Sequence, residues 1–265
     1  MNVTGNTMTN NYNILEIKNI SKAFGGVQAL QDIELCLEKK SINGLIGPNG
    51  AGKTTLFNLI TGIFPPDSGH IKFAGKSVKD LEVHQRVRAG IARTFQNIEL
   101  FESMSVLENI LVGLYTKTRA GMAAGILRLG PARREEKKAR AKAMELLEFV
   151  GLKEHARKKS SDLPFGWQRL VELARALAAE PGLLLLDEPA AGLNISETSR
   201  LGELILQIRN QGITILLVEH DMSLTMSISD HIIVLDQGRK IAEGPPRDIQ
   251  ANEAVMAAYL GKGKN

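Results

Sequence analysis

Gly47-Pro48-Asn49-Gly50-Ala51-Gly52-Lys53-Thr54, followed by Thr55, is the stretch from which the rest of the chain is read. It fits the pattern G-x-x-x-x-G-K-[ST] in full. It also stands between a strand-like run, Ser41 to Ile46, and an apolar helix-like segment, Thr54 to Leu59. Small residues let backbone N–H groups converge on a polyphosphate, and a helix starting near Gly52 turns its positive dipole end to the same place. Lys53 can then reach β- and γ-phosphates, and the Thr54 hydroxyl can ligate Mg²⁺. A chance glycine turn would not meet every position of the pattern in this strand–loop–helix order.

Such a loop needs a second carboxylate on the Mg²⁺ side, at the end of a neighbouring strand. Leu183-Leu184-Leu185-Leu186-Asp187-Glu188 supplies one. Four leucines bury the strand, so Asp187 emerges at its C-terminal end, where open α/β sheets bind ligands. Asp187 is expected to hold Mg²⁺ through water. Glu188 is expected within reach of a water in line with the γ-phosphate, as general base or water-orienting group. By itself an apolar run ending in Asp-Glu would equally suit a helix cap; behind a phosphate loop the catalytic reading prevails.

Working outward, Ile14 to Ile20 and Ile33 to Leu37 alternate apolar and polar residues and read as half-buried strands. Pro65-Pro66-Asp67-Ser68-Gly69 is a turn cluster before a short strand, Ile71 to Phe73. From Ser103 to Leu177 the pattern is mostly helical, with apolar residues three and four apart in Ala143 to Val150. Leu183 to Leu186, Ile213 to Val218 and Ile232 to Leu235 are continuous apolar runs, as in parallel strands covered on both faces. The expectation is an α/β domain carrying an inserted helical block. Arg133 to Lys142 mixes both charges and reads as a solvated helix face. Arg247 to Leu260 reads as one helix after Pro245-Pro246, stopped by Gly261.

Composition narrows the classes. The 265 residues suffice for a large buried core, and 43% hydrophobic with 23% charged residues is an ordinary globular balance. Thirty-three Lys and Arg against 29 Asp and Glu give a formal charge of +4, too small a surplus to argue for nucleic acid. One cysteine, Cys36, excludes an internal disulfide, suits a reducing compartment and is expected in the core. No run reaches the roughly 18 apolar residues that span a bilayer, and Met1 to Asn13 lacks the basic start and apolar stretch of a signal peptide. The expected setting is cytoplasmic, with any membrane role reached through partners.

Further segments fall in an order that resembles the nucleotide-binding domains of ABC transporters, from Ile14 to Gly261. Gln96, in Arg93-Thr94-Phe95-Gln96-Asn97, resembles the Q-loop glutamine. Leu163-Pro164-Phe165-Gly166-Trp167-Gln168-Arg169 occupies the place of the signature, usually Leu-Ser-Gly-Gly-Gln. Ala191-Gly192-Leu193-Asn194 resembles the D-loop, His220 the switch histidine that contacts the γ-phosphate, and Phe24 the aromatic that stacks on adenine. The signature departs from the pattern: Pro164 replaces the serine and has no N–H to offer, while Phe165 and Trp167 replace small or polar residues. Gly166 and a helix beginning near Trp167 still provide backbone donors for an anion.

The resemblance implies a P-loop NTPase (RecA-like) core with an antiparallel β arm and an inserted α-helical subdomain, all one ABC ATPase domain over 1–265. Residues 1–13 would be a disordered lead-in, 14–95 and 179–244 the arm and core, 96–178 the helical subdomain, and 245–265 a C-terminal helix and tail. It implies ATP and Mg²⁺ as ligands. ATP would meet Phe24, the loop Gly47, Pro48, Asn49, Gly50, Ala51, Gly52, Lys53, Thr54 and Thr55, and, from a second subunit, Gly166 and Trp167. Mg²⁺ would meet Thr54, Gln96 and Asp187; Glu188, His220, Gln96 and Lys53 would be catalytic. It implies a dimer with a second ABC ATPase subunit beneath two transmembrane permease subunits, on the inner face of the membrane. A periplasmic or extracellular solute-binding protein would act indirectly, and nucleic acid would have no part. Contacts with the permease would run through Asn97 to Val106, where Ile98, Leu100 and Phe101 offer an apolar surface.

Leu-Pro-Phe-Gly, Glu219-His220-Asp221-Met222, Ala258-Tyr259-Leu260-Gly261 and the basic insert near Thr116 to Lys142 resemble one subgroup, the larger ATPase subunit of branched-chain amino acid importers. Importers of urea or short amides use closely similar subunits. A soluble non-transport ABC ATPase is the remote alternative; such relatives insert long coiled coils or repeat the domain, and no sustained heptads occur here.

Overall fold

The structure is a computed structural model that describes residues 13–116 and 130–260. The continuous apolar runs do form a covered parallel sheet. β3 (Ile42–Ile46), β6 (Ile91–Arg93), β7 (Leu183–Asp187), β8 (Thr214–Val218) and β9 (His231–Asp236) lie parallel, and β10 (Arg239–Gly244) adds an antiparallel edge, in the order β10-β9-β3-β8-β7-β6. Every residue of β3, β7 and β8 is buried, as strands sandwiched on both faces require. The alternating segments behave differently. β1 (Asn13–Phe24), β2 (Val27–Glu38), β4 (Ser68–Phe73) and the short β5 (Lys76–Ser77) form a separate antiparallel sheet in the order β2-β1-β4-β5.

Helix α1 (Lys53–Thr61) lies between the two sheets. Its Leu56, Phe57, Leu59 and Ile60 share one core with Leu15, Ile17 and Leu35 of the antiparallel sheet and with Leu183, Leu185 and Leu216 of the parallel one. α2 (Val83–Ala89) leads into β6. On the far face of the parallel sheet, α5 (Phe165–Ala178), α6 (Ile195–Asn210) and α7 (Met222–Ile228) close a second core through Leu173, Leu177, Leu201, Ile205 and Leu224. A third core joins α5 to α3 (Val106–Tyr115) and α4 (Gly130–Phe149) through Ile110, Leu147, Leu170 and Val171. α5 therefore faces the sheet on one side and the helices on the other. The exposed residues of α4, among them Arg134, Glu135, Lys137 and Lys138, form the solvated face read from the charge run. No helix among the described residues is long and apolar enough to cross a membrane.

Two expectations need correction. Cys36 is exposed, not core. In the second half of β2 Ile33, Leu35 and Leu37 are buried, so the period of two turns Cys36 outward with Glu34, opposite Glu16 of β1. The C-terminal segment is two helices rather than one: α8 (Pro246–Gln250) and α9 (Glu253–Leu260). Between them Asn252 turns its side chain to accept from the Val255 N–H at 3.2 Å, starting a new helix instead of continuing the old one. The expected stop at Gly261, the lead-in over residues 1–12 and the insert over 117–129 lie outside the described residues.

Candidate functional site: a phosphate loop beside a bridged glutamate

The loop between β3 and α1 is built on left-handed glycines. Gly52 has φ 104°, and a Cβ there would come within 2.7 Å of the Ala29 carbonyl oxygen, so the start of β2 can press against the loop only at a glycine. Gly47 meets the end of β9 in the same way, with Leu235 O at 2.0 Å from such a Cβ. α1 begins without a side-chain cap. Among the described residues, the backbone N–H groups of Gly50, Gly52 and Thr54 donate to no protein acceptor, while Ala51 N–H turns back to Pro48 O at 3.1 Å. Donors left over at a helix start suit an anion. Lys53 is buried, and its Nζ donates to Gly47 O at 2.7 Å and Pro48 O at 3.0 Å, which holds the ammonium along the loop. Tyr259 of α9 reaches the loop's first residue: burial pushes its phenol up, and a hydrogen bond from the Gly47 N–H works against that.

Across the sheet, β7 and β8 run in parallel register with Asp187 level with Val218. Their ends therefore release Glu188 and Glu219-His220 side by side. Glu188 leaves the strand at φ 49° with its N–H on Val218 O at 2.8 Å. Its carboxylate is bridged: Gln96 Nε2 donates to Oε2 at 3.0 Å, and His220 Nε2 lies 2.9 Å from Oε1. Three residues placed in one site from separate motifs are thus brought into direct contact. His220 is itself seated by buried Glu219, which accepts from His220 N–H at 3.1 Å and from Ala190 N–H at 2.6 Å. Burial raises the Glu219 carboxyl, backbone N–H bonds from Ala190, Asp221 and His220 oppose this, and the charge of Glu188 adds to the rise.

Asp187 has a partner that sequence reasoning missed. Arg93, the last residue of β6, donates from Nη2 to Asp187 Oδ2 at 2.6 Å, with both side chains 6% exposed. Nη1 of the same guanidinium holds Asn58 Oδ1 of α1 at 2.6 Å, and the rings of Phe57 and Phe95 flank it at 5.3 and 5.1 Å. Among the described residues no donor occupies Asp187 Oδ1. Removing one partner of a buried pair strands the other charge, so Arg93→Ala is expected to cost about 3–5 kcal/mol of stability. Urea unfolding measures it, and the double variant with Asp187→Ala should recover much of the loss.

The remaining predicted residues are less closely gathered. Phe24 is exposed at the β1–β2 turn, edge-on to Phe64 at 5.3 Å and under Lys22 Nζ at 5.4 Å. That hairpin is the one whose Ala29 touches Gly52, which places Phe24 on the loop's side of the molecule. The signature helix starts two residues before Trp167, with Pro164 as its cap residue. Trp167 cannot offer its amide as expected, because that N–H is spent on Pro164 O at 2.9 Å, and its ring stacks on His155 at 4.6 Å. Gly166 N–H keeps no protein acceptor among the described residues. No hydrogen bond, ion pair or ring contact joins Leu163–Gln168 to Gly47–Thr55 among the described residues. In the D-loop, Gly192 (φ 80°) lies against the Phe165 ring, and Asn194 caps α6 through a reciprocal pair with Glu197 at 3.0 Å each way. Of the apolar trio after Gln96, Leu100 packs on the helical core, Ile98 is half-buried, and Phe101 alone is exposed. A concavity of about 650 Å³ at α2, lined by Glu82, His84 and Arg88 among others, shares no residue with the site.

Residues 30–191 match the family model described as "ABC transporter", which is more than half of the chain. The chain belongs to the ABC transporter family. A second model, described as "Branched-chain amino acid ATP-binding cassette transporter", matches residues 239–265. The high-affinity branched-chain amino acid transport ATP-binding protein BraF of Pseudomonas aeruginosa is 44% identical over 250 residues, covering 94% of this chain and 98% of the relative. LivG of Escherichia coli, bearing the same description, is equally similar at 44% over the same shares. Among solved structures, an ATP-binding cassette of an ABC transporter in its ADP conformation aligns with TM-score 0.83 at 32% identity, covering 94% of this chain and 99% of that one. A dimeric bacterial ABC transporter cassette aligns at 0.75 and 26%, covering 88% and 99%. The ABC family accounts for the order of motifs and for the fold, a P-loop NTPase core with mixed α/β architecture. The chain is accordingly a nucleotide-binding ATPase of the ABC transporter class.

Proposed function

We propose that this ABC ATPase energises uptake of branched-chain amino acids, working as a dimer with a second ATPase subunit beneath two membrane permease subunits. The observation that carries the chemistry is Glu188 held between Gln96 and His220 at the strand ends that border the phosphate loop. The substrate reading is supported by the relatives at 44% identity and by the match over residues 239–265.

In this reading the N–H groups of Gly50, Gly52 and Thr54, with Lys53, cradle the β- and γ-phosphates of ATP, and Phe24 offers its ring to the adenine. Thr54 Oγ1, Asp187 Oδ1 and the Gln96 amide are the groups that would hold Mg²⁺, which would neutralise charge developing on the phosphates. The donor chemistry fits a hard cation, since all three contribute oxygen. Glu188 orients or deprotonates the attacking water, and its two hydrogen-bonded neighbours set the direction of its carboxylate. His220 stands ready to meet the γ-phosphate, with Glu219 fixing its backbone. Gly166 on the signature helix of one subunit serves the nucleotide on the other, through the N–H that keeps no protein acceptor among the described residues. The helices packed around the third core form the subdomain that meets the permease, through Phe101 and its neighbours, at the inner face of the membrane.

The test is ATP hydrolysis by the chain assembled with its second ATPase subunit, permeases and solute-binding protein in lipid vesicles. Leucine, isoleucine or valine should raise hydrolysis and be accumulated. Stimulation by urea or acetamide instead would sink the substrate assignment. Hydrolysis indifferent to every solute would sink the transport role.

A further inference from the structure

Two buried side chains outside the group just described hold the segment that carries Gln96. Arg169 and Glu172 lie three residues apart on α5, with side chains 6% and 3% exposed. Arg169 Nη1 donates to Phe95 O at 2.9 Å, and Nη2 donates to the carbonyl of Gln96. Glu172 Oε1 accepts from the Phe95 N–H at 3.1 Å. Three main-chain groups of two successive residues are therefore spent on one helix. The two side chains meet each other at only 3.4 Å, a weaker approach than either makes to the backbone. A buried ion pair adds little net stability by itself; what this pair adds is a fixed path for the chain at Phe95–Gln96.

The same guanidinium stands 5.4 Å from the centre of the Phe165 ring, whose edge rests on Gly192. Phe165 thus fills a place where the family usually has a small residue, and it joins Arg169 to the segment after Glu188. A loop, the start of α5 and the turn after β7 meet at one side chain.

We propose that Arg169 and Glu172 are positioning residues for Gln96, fixing its backbone so that its amide meets Glu188 and so that this loop moves as one body with α5. The proposal rests on the role given to Gln96 and Glu188 above. Methionine at both positions should keep the fold, since buried pairs generally tolerate apolar replacements of similar volume. In the assembled complex, Arg169→Met/Glu172→Met should lower kcat by about tenfold or more while fluorescent ATP-analogue affinity stays within about threefold, the signature of lost orientation rather than lost binding. Hydrogen exchange at the Phe95 amide should rise by about tenfold, as for a local opening that no longer needs a bond to be broken. Glu172→Gln keeps an Oε1 acceptor, so it should retain Phe95 protection and turnover where Glu172→Met loses both. Unchanged Phe95 exchange or wild-type kcat in the methionine variants overturns the proposal, and so does Glu172→Gln failing as far as Glu172→Met. If the double variant does not fold, the comparison of the two single Glu172 variants decides alone. A wild-type complex without turnover would defeat the functional reading instead, and Phe95 exchange would still be readable.

Discussion

Lys53→Ala is expected to abolish tight ATP binding and to leave turnover below about one-hundredth of wild type, because in the proposed function its charge meets the charge developing on the phosphates. The structure says why no neighbour can substitute. The Lys53 ammonium is held along the loop by Gly47 O and Pro48 O, and its stem is buried under the loop it serves. Truncation removes the cation and leaves the Gly47 and Pro48 carbonyls without this donor. Lys53→Arg should fare little better, since a planar fork cannot sit in a ring shaped for a compact ammonium. Titration with a fluorescent nucleotide and a phosphate-release assay measure the two effects. Wild-type solute uptake by a Lys53→Ala complex in vesicles would remove the loop from its assigned role.

Glu188→Gln is expected to separate binding from chemistry. The hydrogen bonds of Glu188 go to Gln96, His220 and the backbone of Val218 and Ala191, none of which belongs to the phosphate loop. Nucleotide affinity should therefore survive. Turnover should fall by about 10²–10⁴-fold, the range that a positioned general base contributes, because an amide can neither take the proton nor hold the water with the same charge. His220→Ala would remove one of the two groups that aim the carboxylate. Single-turnover kinetics with pre-bound ATP give the chemical step directly. Full hydrolysis by Glu188→Gln would transfer the task to another residue.

What could be read beforehand follows from how local each signal is. The phosphate loop is a pattern of eight adjacent residues, and the Leu183–Leu186 run announces a strand covered on both faces; both appear as expected. Lys53, Asp187, Glu188, Gln96 and His220 were each visible because a short motif surrounds them. The residues that escaped act across long stretches of chain. Arg93 meets Asp187 from 94 positions away, Glu172 meets Phe95 from 77, and Glu219 meets Ala190 from 29. A signal existed for the last of these, since a glutamate immediately before His220 at the buried end of a strand needs hydrogen-bond donors. Residue type favours burial of Cys36, but strand phase sets it on the exposed face. The helix expected near Trp167 begins at Phe165, with Pro164 as its cap residue.

The level ends of β7 and β8 make chain length matter there. Successive residues of a strand face opposite ways, so inserting or deleting one residue between Leu183 and Asp187, or between Thr214 and Val218, would turn the carboxylates or the imidazole away from each other. On the exposed side of α4, by contrast, side chains such as Arg134, Glu135, Lys137 and Lys138 face solvent, so exchanging them there leaves every other side chain pointing as before. Within those two five-residue windows the number of residues, and not only their kind, decides which way Glu188 and His220 leave the sheet.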